Sequence, residues 1–261
     1  MSLQVIALTF CAVATYGVFA PSASASSYFG TRLLVQGDCC GGADITGDRA
    51  TITAPNSNFT TTSTLCALQR EDMEGNTVPP ATGDNRLIQT GLVKCGTSVS
   101  GGLDNTCSLS GNLVYYTEVL WSDAYHCTAL GQATYSSSHK FSVWESGGSN
   151  NIYYTFFDGS KDPTSGYYYV TMPYIWVAVS SGELTSCFSR SDCNSHGSID
   201  VPGTYASSGG TAWQRYDPAD SSWHTVQSSP TCAGPSFLTC GGGGWSFVNG
   251  PPGPFDIDYN P

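Results

Sequence analysis

Positively charged side chains are scarce in this chain. Its 261 residues include 9 Lys and Arg against 20 Asp and Glu, and the formal net charge is −11 at pH 7. The field of such a chain repels a polyanion, and no cluster of basic residues interleaved with aromatic ones offsets that repulsion. We therefore expect no nucleic-acid partner.

Helical patterning is missing as well. Lys and Glu are few, and no window sustains an apolar repeat of helical period. Runs rich in β-branched and aromatic residues, separated by short turn segments, predict strands instead. The predicted strands are 50–53, 87–94, 113–121, 140–144, 152–157, 167–172 and 174–179. Strands that follow one another without helices predict an all-β fold, an antiparallel β-sandwich.

Long apolar runs are absent beyond the beginning of the chain. Residues 5–20 form an apolar stretch too short for a comfortable membrane span. Ala23, Ser24 and Ala25 supply the small residues that a signal peptidase requires. The sequence therefore predicts a signal peptide over residues 1–25, cleavage before Ser26, and a secreted protein without a membrane anchor.

Residues 26–261 contain no long linker and no repeat, and we interpret them as one domain with an irregular Gly/Pro-rich tail over residues 241–261. Ten cysteines follow residue 25, and an even count in an exported chain predicts five disulfides. Zinc is the alternative, but the paired C-x-x-C spacing of structural zinc sites is missing. The plausible local bridges are Cys95/Cys107, Cys187/Cys193 and Cys232/Cys240, which leaves longer-range pairing for Cys39, Cys40, Cys66 and Cys127.

Two common kinds of catalytic motif are also missing. The four histidines show no His-x-x-x-His or His-x-His spacing, so we expect no metal and no cofactor. The Gly-x-Ser-x-Gly elbow of serine hydrolases does not occur. Cysteines oxidised in pairs offer no thiol nucleophile.

The informative polar residues lie in or next to apolar segments. Residues 87–92 read Leu-Ile-Gln-Thr-Gly-Leu, with Gln89 in a predicted strand, and residues 180–183 read Ser-Ser-Gly-Glu, with Glu183 after another. The pair resembles the catalytic Gln/Glu of the glutamic peptidases, the eqolisins and neprosins. Two further segments fit this family in the same order: Arg-Ala-Thr-Ile-Thr-Ala-Pro at 49–55, and the hairpin-like run at 161–168. The resemblance covers roughly residues 28–205.

The resemblance implies a β-sandwich peptidase that acts in acid without a covalent intermediate. Glu183 would be the general base that activates water, and Gln89 would donate its amide N–H to the oxyanion. Leu184 follows Glu183 where eqolisins have tryptophan. Glu118, in the apolar run 113–121, is the substitute for Glu183, because eqolisins place a Tyr-Glu-Trp segment in a comparable strand.

Other interpretations remain open at this point. Gln89 fits the exposed face of a half-buried strand, and Glu183 fits a surface turn. Fifteen tyrosines and six tryptophans also suit a non-catalytic binding protein whose aromatic rings stack on glycans. A catalytically silent relative of the peptidases is a third possibility. The partner would be a polypeptide substrate or, in the alternative, a glycan, and we expect a monomer.

Overall fold

A computed structural model describes residues 26–34, 45–54, 66–76, 85–95, 112–121, 124–145, 151–162, 169–185, 199–200, 204–205, 213–225, 245–248 and 256–259. Every regular element in these ranges is a strand. No helix in the described ranges is long and apolar enough to cross a membrane.

The first sheet has six antiparallel strands. In spatial order they are β1 (Ser26–Leu34), β11 (Tyr174–Thr185), β3 (Cys66–Asn76), β4 (Asn85–Cys95), β5 (Leu113–Trp121) and β6 (Ala124–Gln132). Strands β3, β4, β5 and β6 lie side by side in the order in which they follow one another along the chain. Strand β11, which is distant in sequence, lies between β1 and β3.

The second sheet has eight strands. Its main path is β10 (Tyr169–Thr171), β8 (Ile152–Phe157), β7 (Ser138–Glu145), β2 (Gly47–Thr53), β14 (Trp213–Asp217) and β15 (Ser222–Thr225). Two short strands join it, β13 (Thr204–Tyr205) on β2 and β9 (Ser160–Lys161) on β8. A third, three-stranded sheet contains β12 (Ile199–Asp200), β17 (Asp256–Tyr259) and β16 (Trp245–Val248).

The two large sheets pack face to face, with β3 and β4 of the first sheet against β7 and β8 of the second. Apolar side chains from both sheets meet between them in one cluster, which includes Ile88, Val119, Val143 and Val170. An antiparallel sandwich of this kind buries one face of each sheet. The predicted fold class, an all-β antiparallel sandwich, is confirmed.

The turn between β8 and β9 shows how the local sequence sets a connection. Asp158 and Gly159 both have positive φ, 50° and 81°. A two-residue hairpin loop with positive φ at both positions matches the right-handed twist of its strands, and Asp-Gly is a favoured pair for it. The Asp-Gly sequence therefore accounts for the tight turn after residue 157.

Several strands extend beyond their predicted ends, and two such places concern Glu183 and the predicted tail. Strand β11 continues to Thr185, so Glu183 lies inside a strand, where the sequence suggested a segment after it. The predicted irregular tail contains the strands Trp245–Val248 and Asp256–Tyr259. The backbone of each segment pairs with an adjacent strand. This pairing outweighs the low strand propensity of the small and turn-forming residues around the segments.

The predicted signal peptide, residues 1–25, lies outside the described residues. Cys127 is disulfide-bonded. The register of β3 and β4 places Cys66 directly opposite Cys95. The predicted set of five disulfides, including the local pairs, otherwise stays a prediction.

Candidate functional site

Gln89 and Glu118 face each other on neighbouring strands. Gln89 of β4 lies directly opposite Glu118 of β5, and the Gln89 side-chain amide nitrogen Nε2 donates a hydrogen bond to Glu118 Oε2. Each residue is only 2% exposed. A buried carboxyl is costly unless it is hydrogen-bonded, so the amide of Gln89 stabilises Glu118 where it lies.

The alternation of the strands places this pair on the face that points away from the second sheet. Their chain neighbours Ile88 and Val119 belong to the apolar cluster between the sheets, and successive side chains of a strand point to opposite faces. Gln89 is buried all the same, so the interpretation of it as an exposed strand residue is wrong. We call Gln89 and Glu118 the amide–carboxyl pair.

The amide–carboxyl pair belongs to a row of directly opposed residues that crosses the first sheet. Asp72 of β3 is opposite Gln89, and Val179 of β11 is opposite Asp72. On the other side, disulfide-bonded Cys127 of β6 is opposite Glu118. The row therefore has acidic or amide residues on three consecutive strands, β3, β4 and β5.

Glu183 occupies another level of the sheet. It lies opposite Leu68 of β3, four residues along β11 from Val179, the residue level with Gln89. At about 3.3 Å per residue and about 4.8 Å per strand, its backbone is about 13 Å along and about 10 Å across from that of Gln89. The structure thus brings Gln89 together with Glu118, the substitute acid of the sequence analysis, at a shared level.

Threonine hydroxyls fix the backbone of the pair from the core side. Thr90 Oγ1 donates to the Tyr116 carbonyl oxygen at 2.9 Å. Thr117 Oγ1 lies 3.3 Å from the Gln89 carbonyl oxygen and 2.8 Å from Thr155 Oγ1 of β8, in the second sheet. All of these contacts are buried, and the last one links the two sheets by a polar bridge through the apolar core.

Asp162 continues this bridge. Its backbone N–H donates to the Thr155 carbonyl oxygen at 3.2 Å, and its side chain is 3% exposed. Burial raises the pKa of the Asp162 carboxyl to about 6, and the Thr155 hydroxyl lowers it by a smaller amount. Neither carboxyl oxygen of Asp162 has a hydrogen-bond partner among the described residues.

Sequence reasoning missed Thr117, Thr155 and Asp162 as possible functional residues. Threonine is common in strands, and an isolated threonine in a strand gives no signal of its own. For Asp162 the sequence offered one indication, because this residue belongs to the run 161–168, which resembles a neprosin hairpin. Only the pairing of β8 with β7 and the packing of the sheets bring Thr155 to Thr117.

A second polar group lies at the turn between β14 and β15. Asp217, Asp220 and His224 offer three possible ligand atoms within 4.8 Å of one another. Ser222 Oγ and Asp220 Oδ2 both contact the same ring nitrogen of His224, Nε2, at 2.9 and 2.8 Å. A serine triad needs its serine and aspartate on opposite ring nitrogens, so this exposed turn lacks that arrangement.

No family model and no curated protein matches the chain. Among solved structures, a scytalido-glutamic peptidase with a transition-state analogue inhibitor is 11% identical with a TM-score of 0.47, covering 90% of this chain and 98% of that one. SCP-B, an eqolisin-family peptidase in complex with the tripeptide Ala-Ile-His, is 12% identical with a TM-score of 0.43 and the same coverage of 90% and 98%. A galectin of Caenorhabditis elegans is 10% identical with a TM-score of 0.28, covering 61% and 95%.

These matches confirm a distant likeness to the glutamic peptidases. They concern the arrangement of strands alone. The described residues themselves form an all-β sandwich that carries a buried amide–carboxyl pair on one sheet.

Proposed function

We propose that the chain hydrolyses peptide bonds and that Gln89 and Glu118 activate the attacking water. One observation carries the proposal: the hydrogen bond between the Gln89 amide and the Glu118 carboxyl, on adjacent strands and on the face away from the core. An amide donor beside a carboxyl is the pairing that the sequence resemblance implies for this chemistry. The structure favours Glu118 as the acid of that pair.

The reaction needs a base for the attacking water and a hydrogen-bond donor for the oxyanion. The Glu118 carboxylate takes a proton from water, and the resulting hydroxide attacks the carbonyl carbon of the substrate. The amide nitrogen of Gln89 has two N–H donors; one holds Glu118 and the other is directed at the developing oxyanion. Protonated Glu118 then gives its proton to the leaving nitrogen, the C–N bond breaks, and the free enzyme is restored.

The choice of Glu118 over Glu183 follows from the register of the sheet. Glu118 lies one strand from Gln89 and is hydrogen-bonded to it. Glu183 lies two strands and four residues away. A water shared by amide and base must be within hydrogen-bond reach of both. Glu183 remains the sequence-based candidate and is included in the test.

Export and an acidic working medium are part of the proposal. The apolar run 5–20 with small residues at 23–25 supports secretion. An acidic chain suits low pH, because protonation of carboxylates lowers their mutual repulsion. The substrate would be an extended polypeptide.

The test measures cleavage of an unfolded protein between about pH 3 and pH 8 by the wild type and by Gln89→Ala, Glu118→Gln and Glu183→Gln. We expect Gln89→Ala and Glu118→Gln to lose on the order of 100-fold or more in rate, whereas Glu183→Gln keeps the wild-type rate. Loss with Glu183→Gln and not with Glu118→Gln would restore the pair inferred from the sequence. Equal activity in all four proteins would refute both pairs.

A glycan-binding protein is the second candidate, and an aromatic row favours it. Tyr169 is 44% exposed and its ring centroid lies 5.9 Å from that of Tyr154. Trp144, Tyr216 and Trp223 continue the row on neighbouring strands of the second sheet. Rings of this kind can stack on sugars. Calorimetric titration with neutral oligosaccharides checks it: binding that Tyr169→Ala weakens, in a protein without proteolysis, would favour this candidate.

A further inference from the structure

Aromatic side chains cross the outer face of the second sheet, the face that points away from the first sheet. The residues that are directly opposed on its six main strands are, in spatial order, Tyr169, Tyr154, Trp144, Gly47, Tyr216 and Trp223. We call these six residues the aromatic row. At about 4.8 Å per strand the row is about 24 Å long, which suits a chain of sugars better than a single one.

Strand alternation places the aromatic row on the outer face. Val143, the chain neighbour of Trp144, belongs to the apolar cluster between the sheets, and successive side chains of a strand point to opposite faces. The ring contacts agree, because the centroid of Trp144 lies 5.2 Å from that of Tyr216 and 6.2 Å from that of Trp223. The rings are partly exposed, and Tyr169 is the most exposed at 44%.

Gly47 lets the rings of neighbouring strands close over the backbone. A Cβ at this position would lie 2.8 Å from Trp144 Cδ1 and 3.0 Å from Trp223 Cη2. Any side chain here would push the rings apart. The glycine therefore keeps the aromatic row continuous across β2.

Two cations lie beside the aromatic row and stack on its rings. Arg49 and Lys161 both belong to the next level of opposed residues along the strands. Arg49 Cζ lies 4.1 Å from the centroid of the Trp223 ring, and Lys161 Nζ lies 3.5 Å from that of Tyr154. Arg49 Nε also donates to Gln214 Oε1 at 2.8 Å. The guanidinium is therefore held in place while its terminal nitrogens have no hydrogen-bond partner among the described residues.

The charge of this face differs from that of the whole chain. Its described strand residues include Arg49, Lys140 and Lys161 and no Asp or Glu, although the chain has 20 acidic residues against 9 basic ones. Charges more than about 8 Å away are largely screened at physiological ionic strength. A ligand on this face therefore meets local positive charge.

The chemistry of the face selects the kind of ligand. The inner strands already pair with both neighbours, so a ligand here can contact side chains only. The apolar faces of sugar rings stack on Tyr and Trp, and a carboxylate fits the fork of a guanidinium. An extended peptide would need a free strand edge and side-chain pockets, which a row of rings in the middle of a sheet does not offer.

We propose that this face binds an acidic polysaccharide, with sugar rings on the aromatic row and carboxylates on Arg49 and Lys161. The inference rests on the glycan-binding candidate described above, and it adds the charge of the ligand and the residues that recognise it. It does not depend on the amide–carboxyl pair, which lies on the outer face of the other sheet.

A pair of matched probes tests the charge of the ligand without any substitution. Calorimetric titration of the full-length protein compares oligogalacturonate with its methyl ester, which has the same rings without the charges. We expect the acidic probe to bind about 10-fold or more tightly than the ester. The affinity for the acidic probe should fall as NaCl is added, and that for the ester should not.

Substitutions then assign the charge recognition to named residues. Arg49→Gln should weaken binding of the acidic probe by about 10- to 100-fold, and Arg49→Lys should restore only part of it, because an ammonium lacks the planar fork. Lys161→Gln, at an exposed site, should weaken it by about 2- to 5-fold. Arg32→Gln is the matched control, because it removes the same charge from β1 of the first sheet. Unchanged thermal midpoints verify that the variants fold.

The outcomes separate this inference from the candidate on which it rests. Equal affinity for the acidic probe and its ester, or equal losses in Arg49→Gln and Arg32→Gln, would overturn the inference and leave glycan binding standing. Polyglutamate bound as tightly as oligogalacturonate would overturn it too, because charge alone would then be recognised. Binding of neither sugar probe would contradict the inference and the glycan-binding candidate together, whatever the result for peptide hydrolysis.

Discussion

The free energy of unfolding should depend on pH through Asp162. Burial raises the pKa of this carboxyl from 3.8 to about 6 in the folded protein, so the folded state keeps a proton that the unfolded chain has released. At about 1.4 kcal/mol per pKa unit, the difference is worth about 3 kcal/mol. Because the folded pKa is the higher one, this stability is fully present below pH 3.8 and is lost as the pH rises through about 6.

Asp162→Asn removes the titration and nearly preserves the volume of the side chain. The variant should therefore lack the loss of stability between about pH 4 and pH 7, and at neutral pH it should be more stable than the wild type by up to about 3 kcal/mol. Urea denaturation at several pH values, followed by tryptophan fluorescence, gives the free energies of both proteins.

Asp220→Asn is the control for this measurement. Asp220 is exposed, and hydrogen bonds from the Ser222 hydroxyl and from His224 lower its pKa below 3.8. A lowered pKa contributes stability that is lost only as the pH falls below the ordinary range of the carboxyl, so this variant should leave the pH dependence above about pH 5 unchanged. Parallel stability curves for the wild type and Asp162→Asn from about pH 4 to pH 8 would refute the reasoning.

Two further substitutions test the packing. Gly47→Ala places a Cβ 2.8 Å from Trp144 Cδ1 and 3.0 Å from Trp223 Cη2; we expect a loss of about 1 to 3 kcal/mol from overpacking, measured by urea denaturation, and an unchanged stability would contradict the close contact. Phe141→Ala removes a fully buried ring whose centroid lies 5.5 Å from that of Phe157; we expect a loss of about 3 to 5 kcal/mol, checked by the thermal midpoint, and a loss below about 1 kcal/mol would show that the ring is not a core residue.

Much of the fold could be predicted from the local sequence. Residues 113–121 and 152–157 are strands with the predicted ends, because their β-branched and aromatic residues fit a pleated and largely buried surface. Strand β3 was missed, since residues 66–76 contain Gln, Arg, Glu and Asp in a row with few apolar neighbours. That segment is a strand because β4 and β11 flank it on both sides, and such pairing over long sequence separations leaves no local pattern.

The candidate site was predicted only in part, because its geometry also depends on how distant strands pair. Gln89 and Glu118 stood out because each interrupts an apolar run. Their mutual position depends on the register of β4 against β5, and that of Glu183 on the register of β11 against β3. A single-residue change of register moves a side chain to the other face, so the sequence could supply candidate residues but could not decide which two share a level.

The place of β11 in the first sheet also bears on how the protein is made. This strand, residues 174–185, pairs with β1 near the beginning of the chain and with β3, which separates it from β4. During synthesis, β1 and the outer edge of β3 have no partner strand until β11 has been made, by which time more than half of the chain has emerged. Such long-range pairing folds slowly, and strands without partners expose edges that associate with other chains. The sheet that carries the amide–carboxyl pair is therefore completed late, and the nascent chain depends on protection of those edges until residue 185 is available.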